Sequence, residues 1–207
     1  MMGKNVNKNK GKTWTPKDIR SYMKNFVSTL NEEDRIVIGD TVNTIPITID
    51  GRLKTSLGYF SGIYKRNGEF VSPVKFKFSK RMNVYDDDTI KHIISHELMH
   101  LLSDKKHKKN TAHGEEWKEC CHKYGVNDDE FFESNLELEK DYYRYHIYCQ
   151  KCGKLIGTKD RLSKAGIIEL LLYGKHTVDY GILKIYDSKE GKYLNLNNIM
   201  VNDDKNN

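Results

Sequence analysis

The residues best suited to chemistry lie between Ser95 and Trp117, in the stretch SHELMHLLSDKKHKKNTAHGEEW. It begins with His96-Glu97-Leu98-Met99-His100. Histidines four apart on a helix project from one face and can share one metal ion. Glu97 stands next to that face, where a carboxylate can take a proton from water that zinc has made acidic. Two ligands do not hold a zinc ion, so a third must come from downstream, and His107, His113, Glu115 and Glu116 are the candidates. In one common pattern the third histidine follows the second by six residues, but here that position is Lys106. His107 is one residue out of that register and sits in the charged run DKKHKKN, which is expected to be solvated. Glu115 or Glu116 could serve from a following helix, although both come early for such an arrangement. His113 is better placed. It directly precedes Gly114 at the start of a helix, where no side chain blocks the turn back toward the first two ligands.

These residues need elements to position them. NVYDDDTIKHIISHELMHLLS reads as the helix carrying the motif, capped by Asp88, with Ile90, Ile94, Leu98 and Leu101 as its buried stripe. HGEEWKECCHKYG reads as a shorter helix ending near Gly125. Trp117, Cys121 and Tyr124 share its apolar face, which makes Cys120 and Cys121 packing residues and not ligands. An earlier helix starts at Thr15-Pro16, with Ile19, Met23, Phe26, Val27 and Leu30 on one face. Between them, RIVIG, TIPITI, SLGYFSGIYK and PVKFKFS read as short strands. In the last, Val74, Phe76 and Phe78 alternate with Lys75 and Lys77, giving one apolar and one basic face. The expected fold class is therefore α+β.

At this point the chain resembles a known family. HELMHLL followed by His113-Gly114-Glu115-Glu116-Trp117 is similar to the SprT-like zinc metalloproteases, relatives of the DNA–protein crosslink protease Spartan. Members pair His-Glu-x-x-His with a downstream His-Gly-x-x-Trp/Phe. The resemblance covers roughly residues 15–185 and is strongest over 88–125. It implies a zincin-like minimal metalloprotease domain over 14–140, built of a helix, a short antiparallel sheet, the motif helix and a third-ligand helix. In that domain His96, His100 and His113 hold catalytic zinc and Glu97 is the general base. It also implies a protein substrate, with DNA as a further partner. An extended substrate could pair along VKFKFS.

Family members often end in a zinc ribbon of two Cys-x-x-Cys knuckles, which the resemblance places at residues 141–190. Tyr148-Cys149-Gln150-Lys151-Cys152-Gly153 matches the first. At the second, His176 and Asp179 stand where cysteines are expected. Two readings follow: a second, structural zinc on Cys149, Cys152, His176 and Asp179, or a degenerate ribbon that has lost its metal and packs on the apolar IIELLLY. A carboxylate is a weaker partner than thiolate in a soft site, and the insert is more apolar than a minimal ribbon needs, which tilts toward loss. The run Tyr142-Tyr143-Arg144-Tyr145-His146 could stack bases, but reads more simply as a tyrosine-rich strand.

Composition bounds the rest. With 37% hydrophobic and 31% charged residues in 207, the chain can bury a core and is not composed like a disordered protein. No apolar run reaches 18 residues and the start MMGKNVNKNKGKTW lacks an apolar signal core, so a cytoplasmic protein without membrane contact is expected. The net charge of +6 permits DNA binding without requiring it. Residues 1–13, with Lys4, Lys8, Lys10 and Lys12, and the Asn-rich 191–207 read as polar tails.

Overall fold

The computed structural model describes residues 13–129, 135–196 and 199. Both expected tails lie largely outside these residues. The chain divides into two compact units, residues 1–132 and 133–207. Both combine helices with a small sheet, which makes the protein α+β. Among the described residues no helix is long and apolar enough to cross a membrane.

The first unit opens with α1 (Pro16–Ser28) and α2 (Glu32–Thr44). Thr15 and Asp18 form a capping box at the start of α1, with Pro16 in its first turn. Ile19, Met23 and Val27 are buried as their spacing requires. The second helix corrects the reading of RIVIG as a strand. Asn31 caps it by accepting from Asp34 N–H at 2.9 Å, and Asp34, Ile38 and Val42 form its buried face. Ile36 points to solvent at 74% exposure while Ile38 is fully buried, so the run does not bury its β-branched residues as a core strand would.

Three strands follow: β1 (Ile47–Asp50), β2 (Gly58–Tyr64) and β3 (Phe70–Ser79). They pair in the order β1-β3-β2, β1 parallel and β2 antiparallel to β3. The sheet is therefore mixed and not the antiparallel one expected, because the chain crosses from β1 to β2 before β3 inserts between them. Phe76 and Phe78 enter the core while Lys77 reaches Asp50 at 2.9 Å on the other face, as the alternation predicted. Because β3 is the middle strand, both its edges are already paired. VKFKFS is therefore not a free edge for an extended substrate; the edge strands are β1 and β2.

The motif helix α3 (Asp87–His107) is capped by Asp86, not Asp88: Asp86 Oδ1 accepts from Thr89 N–H at 2.8 Å. Asp87 is engaged elsewhere, accepting from Trp14 Nε1–H at 2.9 Å. Ile90, Ile94, Leu98 and Leu101 are buried as predicted, and Ile93, Met99 and Leu102 join them because α3 is covered on more than one side. The short α4 (Glu115–Lys123) buries Trp117, Cys120 and Cys121. Burial pushes the Cys121 thiol up to about 12, which suits a packing residue.

The second unit carries α5 (Leu136–Glu139), β4 (Tyr145–Cys149), β5 (Leu155–Lys159), α6 (Lys164–Tyr173), β6 (Leu183–Asp187) and β7 (Lys192–Tyr193). Its strands form an antiparallel sheet in the order β5-β4-β6-β7. IIELLLY lies in α6, which places Ile167 against Tyr145, Ile147, Leu183 and Ile185. The tyrosine-rich run enters β4, where Tyr145 is a core residue.

Candidate metal centre

The spacing of His96 and His100 puts one imidazole above the other on α3, and the turn before α4 brings His113 to them. Nε2 of His96 lies 3.3 Å from Nε2 of His100 and 3.2 Å from Nε2 of His113. The three ligand atoms all fall within 4.8 Å of one another. Tetrahedral zinc with Zn–N bonds near 2.05 Å needs nitrogens about 3.3 Å apart, so the donor set fits this ion. Burial pulls His96 down to about 4 and His100 to about 3, with the neighbouring imidazoles adding to the effect. Both are thus neutral at pH 7, with a lone pair to give.

Trp117 is the floor of this cluster. Its ring centroid lies 4.8 Å from that of His96, 5.1 Å from His100 and 4.7 Å from His113, and the His100 ring stacks on it at 20°. A fully buried indole fixes three rings at once, because two torsions set the position of so large a surface. In the sequence Trp117 reads as part of an apolar helix face and as the last position of His-Gly-x-x-Trp, with no role attached to its ring. The 3.6-residue period signals burial and says nothing of what the ring touches.

Glu97 is buried and turned against β2. Its Oε2 accepts from Phe60 N–H at 2.7 Å. A Cβ on Gly58 would come within 2.8 Å of Oε1 and 2.9 Å of Cγ, so the absence of a side chain there makes room for the carboxylate. Burial pushes Glu97 up to about 8, opposed by the Phe60 N–H. A cation nearby would bring that value down. Neither Gly58 nor Phe60 is marked by sequence pattern, since the contact spans 37 residues and uses backbone.

The other candidate ligands are elsewhere. His107 ends α3 outside the cluster, Glu115 is exposed, and Glu116 is paired with Lys109. The run DKKHKKN is not simply solvated, as expected from its charge. Asp104 is buried, Lys105 donates to Thr41 Oγ1 and Lys106 to Asp34, both at 2.8 Å.

In the second unit the structure brings Cys149, Cys152, His176 and Asp179 together, with ligand atoms within 4.8 Å of one another. Cys149 Sγ is 3.3 Å from Asp179 Oδ1, and Cys152 Sγ is 3.6 Å from His176 Nδ1. Tetrahedral zinc would set sulfur and nitrogen about 3.6 Å apart. The Gly181 N–H donates to Asp179 Oδ1 at 2.9 Å and leads the effects holding that carboxyl well below its usual range. A Cβ on Gly181 would collide with Cys149 Sγ. The unit contains both this cluster and the apolar core that α6 packs on.

No match was found among curated proteins or among solved structures. A family model described as the SprT-like family matches residues 21–139, more than half of the chain and inclusive of the whole three-histidine cluster. The protein belongs to the SprT-like family.

Proposed function

We propose that this protein is a zinc metalloendopeptidase in which His96, His100 and His113 hold the metal and Glu97 is the general base. The observation that carries the reading is the composition of the cluster. Among the described residues it gathers three imidazoles and no carboxylate or thiolate. Catalytic zinc sites keep three protein ligands and an open position, whereas structural sites are closed by four. The cluster thereby favours catalysis over the alternative, a non-catalytic DNA-binding or regulatory protein whose zinc is sealed by Glu115 or Glu116.

A zinc ion held there supplies Lewis acidity toward a scissile carbonyl and makes water nucleophilic near neutral pH. The chain's own residues do the rest. Trp117 keeps the three imidazoles in place, and Phe60 N–H holds one oxygen of Glu97. The Glu97 carboxylate takes a proton from the attacking water and returns it to the leaving amine. Support for zinc over copper or nickel comes from the all-imidazole donor set at tetrahedral spacing and from the family. A second, structural zinc on Cys149, Cys152, His176 and Asp179 completes the proposal, supported by the convergence of four donors from the end of β4, the turn after it and the loop before β6.

The substrate is proposed to be protein carried on DNA, in a cytoplasmic setting. That finer reading draws on the resemblance to Spartan and on the net charge of +6. It is tested by incubating a basic DNA-bound protein with the wild-type chain and with Glu97→Gln, with and without DNA. Cleavage by wild type alone, stimulated by DNA and abolished by a chelator, is the expected result. Equal cleavage by both chains at equal zinc content refutes the peptidase. Equal cleavage without DNA refutes the DNA-borne substrate.

A further inference from the structure

We infer that Asp104 is a positioning residue that fixes the loop delivering His113 and so sets the metal affinity of the three-histidine cluster. The inference rests on the metal-centre reading above. Asp104 follows His100 by four residues, so His96, His100 and Asp104 share one face of α3 over successive turns. Its carboxylate is buried, at 2% exposure. Oδ1 accepts from both the N–H and the hydroxyl of Thr111, each at 2.8 Å, and Oδ2 accepts from the Tyr64 hydroxyl at 2.5 Å. One carboxylate thereby ties the end of β2 and the loop after α3 to the ligand-bearing face of the helix.

Packing alone does not call for a carboxylate here. An apolar side chain would fill the same place without the desolvation cost of a buried charge. What the carboxylate adds is direction, because Oδ1 fixes Thr111 through backbone and side chain together while Oδ2 anchors to Tyr64. The loop needs such a hold. Lys108 leaves α3 at φ 54° and Ala112 precedes His113 at φ 44°, both left-handed and neither a glycine. Backbone of this kind persists only where its surroundings fix it.

The loop meets the cluster twice. The backbone of Ala112 lies beside the His100 ring, and the next residue is His113 itself. The turn then closes with Gly114 N–H donating to Thr111 O at 2.8 Å. Freeing Thr111 from Asp104 therefore loosens the orientation of one ligand and the position of another. The residue reads in sequence as one more charge in DKKHKKN, with nothing to mark it.

The test is zinc affinity of the full chain, read by competition with a chromogenic chelator, alongside the spectrum of the cobalt-substituted protein. Asp104→Asn is expected to weaken the histidine site by about 10–100-fold, the usual effect of removing an outer partner of a metal ligand. Thr111→Val, which keeps the backbone donor, shifts affinity the same way by less. The double variant loses no more than Asp104→Asn alone, since both act through one contact. The sulfur-to-cobalt absorption of the cysteine-containing cluster stays unchanged. A merely structural Asp104 would lower the melting temperature and leave zinc affinity within about twofold of wild type in both variants, and that result overturns the inference. Should Asp104→Asn fail to fold, Thr111→Val decides by the same criterion. A wild-type chain that takes up no metal on its histidines overturns the metal-centre reading itself, and this inference with it.

Discussion

Gly58→Ala tests how the general base is held. Gly58 lies in β2 outside the left-handed region, so its backbone accepts alanine. The new Cβ would stand 2.8 Å from Glu97 Oε1, 2.9 Å from Cγ and 3.1 Å from Cδ. To regain ordinary van der Waals contact the carboxylate must retreat by roughly half an ångström. Its 2.7 Å bond to Phe60 N–H then stretches or bends out of range. A hydrogen bond to a charged group is worth about 1.5–3 kcal/mol, and about 1.4 kcal/mol is tenfold in rate. The expected loss is thus about 10–100-fold in kcat, in line with the cost of a small misplacement near reacting atoms. KM and zinc content should hold, because no ligand is touched. The strand itself should not weaken, since alanine costs less conformational entropy than glycine there. The assay is steady-state hydrolysis of a fluorogenic peptide, with zinc counted on the same sample and thermal melting alongside. Activity within about twofold of wild type at equal zinc content would refute the argument that this gap positions Glu97.

Two further outcomes follow from packing and charge. Burial raises the Asp34 carboxyl, but hydrogen bonds from Lys106, Lys123 and Tyr124 outweigh it and hold the group at about 2, against 3.8. The folded value is below the unfolded one, so this stabilisation is complete above pH 3.8 and is lost as pH falls through 2. It amounts to about 2 kcal/mol. Urea unfolding followed by fluorescence of Trp14 and Trp117, the two tryptophans, should show that loss in wild type and a flatter profile in Asp34→Asn; identical profiles contradict it. Gly181→Ala drives a methyl group into Cys149 Sγ and should lower the zinc count from about two to about one per chain, leaving peptide hydrolysis in place. An unchanged count contradicts the proposed second site.

What the sequence made legible depended on the range of the interaction. The first and third helices follow from apolar residues at 3.6-residue spacing, and β3 from strict alternation, because those periods are written locally. The second helix was hidden. RIVIG is β-branched over a few residues, and the helical face appears only when Ile38 and Val42 are joined by Asp34, whose burial depends on cations from α3 and α4. The cap of α3 could not be chosen among three consecutive aspartates, since Trp14 takes Asp87 from 73 residues away. At the candidate site, the histidines and Glu97 were legible as side chains at fixed spacing. The parts that hold them were not: a missing side chain at Gly58, a backbone N–H at Phe60 and a carboxylate amid lysines at Asp104 carry no periodic signal. The order of β1, β3 and β2 was likewise out of reach, which misplaced the edge offered to a substrate.

The central claim is that three imidazoles hold one zinc and leave a coordination position open. X-ray absorption at the zinc edge tests it most directly, on a full-length chain carrying Cys149→Ser and Cys152→Ser so that the histidine cluster alone is seen. The account predicts about one zinc per chain, with three imidazole nitrogens and one further light atom supplied by solvent. A fourth protein ligand in that shell, or a chain that retains no zinc, would contradict it.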